Sequence, residues 1–411
     1  MDHQLRASPD RLFRVALYAA VPAAQERFME TAHFSLGARA VQLLDIASAF
    51  LSKRPSLHFS AWDVPDSNKG DILIRIQVER EIERALGAGK ATFFEIGWNE
   101  LDEQKIHEIN ETCDLFVIAG SGYLFPVRDK LPKRLIRDCR LIRQIRCPKA
   151  AMAVGYNTIA GEEEELSAES VAMLKALLDS LDLISVRDRR TVELVRNVSG
   201  KTPVLAGDPV LFFKEAVSPA PTRDASRLRL GVNLAMHGPI SVKRVEREID
   251  VWADLLKRLQ ALHRIEWHYV AHVPSERAVY WLLRGRGIHL HWHDPLPVDL
   301  PAVYASLDAH ICQMMHSAIT AVSVNLPVTA FAYDRKIDGL FELLGLSAYC
   351  VPVHGWTPQS VLPVIERMIA NRPSIREKIM QAKDALLPVS EGFTSEVADL
   401  IRLGSGLRAD Q

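Results

Sequence analysis

With 411 residues the chain is too long for one ordinary core, and its length predicts two or three domains. Hydrophobic residues make up 48% and charged residues 25%, an ordinary globular balance that argues against extended disorder. Lys and Arg total 50 against 51 Asp and Glu, so the chain lacks the basic excess of a protein that grips a nucleic-acid backbone, and no nucleic-acid partner is expected.

Near the start, Arg11 and Arg14 precede VALYAAVPAA, which imitates a short signal peptide. The apolar stretch is short and Pro22 interrupts it, so RVALYAA is read as a first β-strand. The longest later apolar run, AITAVSVNLPVTAFAY, carries Thr, Ser, Asn and Pro and is no membrane span. A cytoplasmic protein is expected. The five cysteines are odd in number, form no C-x-x-C and lie mostly in apolar runs, as buried free thiols do in a reducing compartment.

Strand-like runs follow one another along the first half: FRVALY (13–18), LHFSAW (57–62), DLFVIAG (114–120), KAAMAV (149–154), DLISV (182–186) and TPVLA (202–206). Helix-like segments lie between several of them, notably 37–51 and 167–180, the latter opening on Ser167 with Glu169 in its first turn. A stretch of Pro, Ala, Ser and Thr without apolar period, 214–227, reads as a linker. Beyond it come RLGVNLA, a long helix from about Val242 to Leu262, WHYVAH, a helix around RAVYWLLRG, IHLHWH, DAHIC, PVTAFAY and AYCVPV, with closing helices near 358–389. The alternation predicts an α/β protein with parallel sheets: a Rossmann-like domain over 1–215, a linker over 216–227 and a second Rossmann-like domain over 228–411 that includes the closing helices.

In open parallel sheets ligands bind beyond the carboxyl ends of the strands. That rule selects Gly120-Ser121-Gly122-Tyr123 and Arg187-Asp188 in the first half. In the second it selects His272, His293-Asp294, Met314-Met315-His316 and Asp334-Arg335-Lys336. Two glycines are too few for a dinucleotide signature, and an ordinary strand-to-helix turn would use the same residues. Arg187 follows an apolar strand, where its planar donors suit phosphate or carboxylate; the competing reading is a salt bridge to Asp182 or Asp188. His316 falls where a strand hands over to a helix, a position of positive potential that suits an anion, although histidines also pack in cores.

Two further stretches each allow two readings. Residues 131–149 place Leu135, Ile136, Cys139, Ile142 and Ile145 on one helical face with Arg134, Arg137 and Arg140 largely elsewhere. That pattern fits peripheral contact with anionic lipid, or, preferred here, a crossover helix with a solvated basic side. His289, His291 and His293 alternate onto one strand face, as a metal site might require, but a cleft-edge strand is the preferred reading and no metal is expected.

Several of these loops together resemble the polysaccharide pyruvyl transferase family. DLFVIAGSGYLF is similar to its strand and glycine loop, with fewer glycines; SVRDRRTVELV to its S-x-R-D segment, with Thr191 where Ser is usual; AGDPVLFF, which contains Asp208, to its D-P element. CQMMHSAITAVSVNLPVTAFAYDRKIDGLFELLGL is similar to its R-x-H, apolar helix, g-x-P strand and Y-D-x-K block. Four motifs in the family's order, from about 114 to 346, are more specific than any one of them. HFSLGARAVQLL resembles the family's N-terminal turn and helix only loosely. One position departs: Met314 stands where the family has an arginine.

The resemblance implies two Rossmann-like domains in a GT-B-like arrangement with a central cleft. It also implies phosphoenolpyruvate as donor substrate, no cofactor, and a glycan or lipid-linked glycan acceptor that becomes a pyruvate ketal. His316 as acid and Arg187 as anion clamp are the implied catalytic pair. Gly120, Ser121, Gly122, Asp188, Asp208, His272 and Lys336 are the expected substrate-binding residues. Oligomeric state is open. Two rivals stand beside this reading: a nucleotide-sugar glycosyltransferase of the same architecture, and a homologue that kept the fold as a binding subunit, for which Met314 speaks.

Overall fold

The computed structural model describes residues 54–58, 68–89, 91–97, 99–159, 164–213, 226–235 and 242–406, with side chains omitted over 54–58, 242–247 and 403–406. All belong to one compact unit, Lys53–Gln411. The strand expected at 13–18, the helix at 37–51 and most of the 216–227 linker lie outside the described residues.

Two parallel six-stranded sheets form the framework. The first contains β1 (Arg54–His58), β2 (Phe94–Ile96), β3 (Cys113–Ala119), β4 (Lys149–Val154), β5 (Leu183–Val186) and β6 (Val204–Leu205) in the order β2-β1-β3-β4-β5-β6. The second contains β7 (Leu228–Asn233), β8 (Ile265–Val270), β9 (Leu290–His293), β10 (Ala309–Cys312), β11 (Val328–Ala332) and β12 (Cys350–Pro352) in the order β12-β11-β10-β7-β8-β9. Parallel neighbours need long crossovers, and helices supply them. They are α1 (Lys69–Leu86), α2 (Glu103–Thr112), α3 (Lys133–Leu141), α4 (Ala168–Asp179), α5 (Arg189–Ser199), α6 (Val242–Leu262), α7 (Glu276–Gly285), α8 (Leu300–Ala305), α9 (Met315–Ser323) and α10 (Arg335–Leu343). Two more, α11 (Pro358–Ala370) and α12 (Arg372–Gly406), close the chain.

One apolar core runs from α1 (Leu73, Ile74, Val78) through Leu211 and Phe212 into the second sheet, and takes in Phe393 and Val397 of α12. The last helix therefore packs on α1 and β3 as well as on its own half. A second core, centred on Phe116, Ile118, Leu135 and Leu177, fills the far face of the first sheet.

The first sheet corrects two expectations. Its β1 begins at Arg54, ahead of the expected 57–62 strand, of which 59–62 lie outside the described residues, and the 18-residue α1, with Asn68 as its N-cap, was not anticipated. The 131–149 stretch is a crossover: Leu135, Cys139, Ile142 and Ile145 are buried in the core, which removes the apolar face that lipid contact would use. Its basic side is not simply solvated either. Asp138, fully buried, takes Arg134 and Arg137 at 3.0 Å each and the Tyr123 hydroxyl at 3.0 Å. Among the described residues no helix is long and apolar enough to cross a membrane, and no group of three His, Cys, Asp or Glu could hold a metal. On β9, His291 and His293 stack on His268 of β8, while Trp292 turns the other way onto Tyr269 and Tyr280.

A buried polar chain threads the second half. His272 Nε2 meets the Tyr304 hydroxyl at 2.7 Å, that hydroxyl meets Ser317 Oγ at 2.7 Å, and Ser317 Oγ meets His310 Nε2 at 2.6 Å. Burial holds His272 well below the ordinary histidine range, with His316, His310 and Lys69 adding to the effect. It also pushes His310 and His268 down to about 3. These rings stay neutral in the folded chain, while unfolded histidine protonates near pH 6.5. The unfolded state therefore binds more protons as pH falls below 6.5, and stability present above that pH is lost progressively towards 3. Burial raises Glu276 to about 8 and also raises Glu79, Asp188 and Asp208, and these carboxyls give the opposite slope. A histidine kept neutral in this way costs about 1 kcal/mol of stability between pH 7 and 5.5. In urea unfolding, His310→Gln should lose about 1 kcal/mol less stability than the wild type between pH 7 and pH 5.5; an equal change in the two proteins would contradict this assignment.

Candidate active site between the two sheets

The carboxyl ends of β3, β4 and β5 build one wall. After β3 the backbone turns through two successive left-handed residues, Gly120 (φ 62°) and Ser121 (φ 66°). A side chain at Gly120 would put its Cβ 2.5 Å from Ile74 Cγ2, so glycine lets the loop meet α1. The serine tolerates its strained conformation while Oγ donates to Asp71 Oδ1 at 2.8 Å. Gly122 lies close to Asn157, where a Cβ would approach Asn157 Cβ to 3.2 Å.

After β5, Arg187 is 2% exposed. Its Nη1 donates to Asp208 Oδ2 at 3.3 Å, so the salt-bridge partner is Asp208 rather than Asp182 or Asp188. Nε and Nη2 are buried and have no hydrogen-bond partner among the described residues. They rest on Gly155 at the end of β4, where a Cβ would lie 2.3 Å from Nε and 2.9 Å from Nη2. Burial raises the Asp208 pKa; Arg187 works against that, and Asp71 adds to it. Asp208 Oδ1 accepts from the Val210 amide at 3.1 Å, which fixes the carboxylate towards Arg187.

Burial raises the Asp188 pKa while the neighbouring Arg187 works against that, and Asp188 Oδ2 is buried without a hydrogen-bond partner among the described residues. Asp188 caps α5, with Oδ1 accepting from the Thr191 amide and hydroxyl at 2.8 Å each, and its Cβ lies against Gly339 of α10. Its role among the described residues is to fix the helix that follows Arg187. Thr191 Oγ1 in turn accepts from the Tyr156 amide at 2.8 Å, tying the Gly155 loop to the same helix start.

The second half supplies the facing wall. His316 is the second residue of α9, and its Nε2 lies 3.4 Å from Asp71 Oδ1. Its ring covers Gly70, where a Cβ would come within 2.2 Å of His316 Cβ. Lys336 Nζ lies 3.1 Å from Asp334 Oδ2 and 5.7 Å from the Tyr333 ring centre. Burial alone would lower this ammonium, but Asp334 and Tyr333 outweigh it and hold its pKa above the usual lysine value; Arg187 pulls the other way. Burial raises the Tyr333 hydroxyl, and Asp71 adds to that rise as it does for Asp208. Arg187, Asp208, Asp71, Ser121, His316, Tyr333 and Lys336 thus share one electrostatic neighbourhood. His272 lies deeper, with its carbonyl accepting from the Lys69 amide at 3.0 Å.

Three parts of this site escaped the sequence reading. Gly155 and Tyr333 adjoin residues that were chosen, and Gly155 ends a strand that had been identified. The first turn of α1 is the larger omission. Asn68 Oδ1 accepts from the Gly70 amide, Asp71 holds Ser121 and His316, and Lys69 pairs with Asp294. Asn followed by Gly-Asp and an apolar series at helical spacing (Leu73, Ile74, Val78, Ile82) was the available signal. Met314, at the N-cap of α9, is 3% exposed and belongs to the apolar core, so nothing at that position meets an anion.

Comparison with known proteins is consistent with this arrangement. The fold is similar to an S. aureus MnaA–UDP co-structure (TM-score 0.55, 12% identity, covering 84% of this chain and 94% of that one). It is similar also to a putative UDP-N-acetylglucosamine 2-epimerase from Listeria monocytogenes (TM-score 0.54, 11% identity, 84% and 94%). At such identities the likeness concerns fold alone, two Rossmann-like halves in a GT-B-like arrangement. No curated protein matches the sequence. Residues 53–335 match the family described as polysaccharide pyruvyl transferase, a span that takes in the site from Asn68 to Asp334 and leaves Lys336 and the looser likeness at 33–44 outside it. On that match, across more than half of its length, the chain belongs to the polysaccharide pyruvyl transferase family.

Proposed function

We propose that the site transfers a pyruvyl group from phosphoenolpyruvate to two hydroxyls of a glycan or lipid-linked glycan, forming a cyclic ketal and releasing phosphate. The observation that carries this reading is the unpaired edge of Arg187. A buried guanidinium with two unsatisfied N–H groups is costly, and a donor anion would satisfy both at once. Lys336 adds a second cation in the same neighbourhood. Together they answer for the arginine that Met314 replaces.

In this reading His316 gives its proton to the methylene carbon of the donor, and an oxocarbenium-like centre forms at the adjacent carbon. The first acceptor hydroxyl bonds to that carbon and releases its proton. Phosphate then leaves with the electron pair of its C–O bond, and the second hydroxyl closes the ketal and loses its own proton. Asp71, 3.4 Å from His316 Nε2, orients the ring, and Ser121 orients Asp71. Phosphate and carboxylate stay with Arg187 and Lys336. The reaction calls for no resident cofactor, and we place it in the cytoplasm. A nucleotide-sugar glycosyltransferase would instead be stabilised by UDP or its sugars, whereas a binding subunit would show donor binding without turnover.

Thermal shift with phosphoenolpyruvate and with UDP separates these readings, since stabilisation follows mass action. Phosphoenolpyruvate should stabilise the wild type and UDP should not. Arg187→Ala should lose most of the donor shift. His316→Gln should keep it and lower phosphate release by roughly 10²–10⁴. Full turnover in folded His316→Gln, or an undiminished donor shift in Arg187→Ala, would sink the respective role.

Gly155→Ala offers a test that leaves every charge in place. The added methyl would meet Arg187 Nε at 2.3 Å and force the guanidinium aside. Donor affinity should fall about tenfold or more, the loss expected of one charge-assisted hydrogen bond, in a protein that still folds. Unchanged affinity would mean that the unpaired edge is not the donor contact.

A further inference from the structure

β9 is the outer strand of the second sheet, and α7 packs on it through Tyr280. From Arg277 to His293 the chain carries three arginines and three histidines but no Asp, Glu, Asn, Gln, Ser or Thr, in a protein of formal net charge -1. α7 turns Val279, Tyr280 and Leu283 inward and leaves Arg277, Trp281 and Arg284 on its exposed face. Trp281 is 57% exposed. The Arg277 guanidinium lies 4.6 Å from the Trp292 ring centre and 5.8 Å from that of Trp281, and Tyr280 meets the same two rings edge-on at 5.2 and 5.0 Å. The indole is thus held outward on a packed base.

The charges on this face are largely unanswered. Arg286 pairs with Asp250 at 2.9 Å, but neither Arg277 nor Arg284 has a carboxylate partner among the described residues; Arg284 Nη1 lies 3.5 Å from His289 Nδ1. Glu266 of β8 serves His268 at 3.1 Å on the opposite face of the sheet. Two cations beside a half-exposed indole suit a ligand that is anionic and apolar at once. A neutral sugar stacked on the indole would need carboxylates or amides around it, and the segment has none. A soluble acidic polymer would use the arginines and leave the indole in water. An anionic bilayer uses both: its phosphates take the guanidiniums, and the indole enters the headgroup layer, which serves its apolar body and its N–H together.

We propose that Arg277, Trp281 and Arg284 form a docking face for a bilayer rich in anionic phospholipid. The proposal stands apart from the donor chemistry and from the 131–149 stretch, whose apolar face is buried in the core. It places the protein usefully. Asp294, next after β9, pairs with Lys69 in the first turn of α1, and Leu296, two residues further on, is exposed as well. Docking through α7 therefore sets the bilayer beside the edge of the cleft that α1 covers, where an acceptor carried on a lipid would arrive.

Flotation of the full chain with vesicles of phosphatidylcholine alone, and of phosphatidylcholine with an equal part of phosphatidylglycerol, tests this without requiring turnover. The chain should float with the anionic vesicles at low salt, stay behind with the neutral ones, and be released as salt rises. Trp281→Ala should weaken binding about tenfold, as expected for one large apolar side chain withdrawn from the headgroup layer. Arg277→Gln and Arg284→Gln should each weaken it about fivefold. Thermal melting checks that each variant folds. Arg140→Gln combined with Arg143→Gln, both exposed in the 131–149 stretch, is the control and should bind as the wild type does. No flotation with anionic vesicles, undiminished flotation in the folded α7 variants, or an equal loss in the control would overturn the docking face. Binding of soluble dextran sulfate that depends on Arg277 and Arg284 but not on Trp281, without flotation, would assign the face to an acidic polymer and overturn it too.

Discussion

The buried pairing of Arg187 with Asp208 is the constraint on which the rest of the site depends. One nitrogen of the guanidinium is used, at 3.3 Å, and the other two lie against Gly155 without an acceptor among the described residues. A charge so placed is tolerable only where something repays its desolvation, and Asp208 does so in part. The surrounding structure is arranged to hold that incomplete pairing. Asp208 is fixed by the Val210 amide, Asp188 and Thr191 fix the helix behind Arg187, and the absence of a side chain at Gly155 makes room for the guanidinium. A purely structural salt bridge would more simply use the whole guanidinium.

The second half completes this arrangement through close contact rather than long side chains. His316 can reach Asp71 because Gly70 has no Cβ, and His272 meets α1 through its backbone carbonyl. The first turn of α1 is therefore shared by both walls: Asp71 bridges Ser121 and His316, while Lys69 reaches Asp294. The deep polar chain from His272 to His310 supports the same wall from behind, with neutral rings that can hold directional hydrogen bonds where ions could not be buried cheaply.

Strand ends were legible in the sequence because buried parallel strands are short continuous apolar runs, and Arg187, His272, His316 and Lys336 could be picked from them by the topology of open sheets, whereas Asp208 came only from the family resemblance. Partners were much less legible. Asp208 lies 21 residues from Arg187, and only the β5–β6 pairing brings them together, so Asp182 and Asp188 were the nearer candidates. Basic character misled at Arg134 and Arg137, because the neighbouring Asp138 is buried among them and a charge pattern does not reveal which side faces the core. The turn at Asn68–Asp71 was missed for a different reason. Its helix follows a strand whose register was read too late, so the residues that link the two halves did not fall at an anticipated strand end.

The most direct test of this account is a crystal structure of the chain with phosphoenolpyruvate. An anionic group of the donor should lie within hydrogen-bond distance of both Arg187 Nε and Nη2, with the methylene carbon facing His316 across the gap between the sheets. Donor bound elsewhere, with those two nitrogens filled by water or still unpaired, would contradict it.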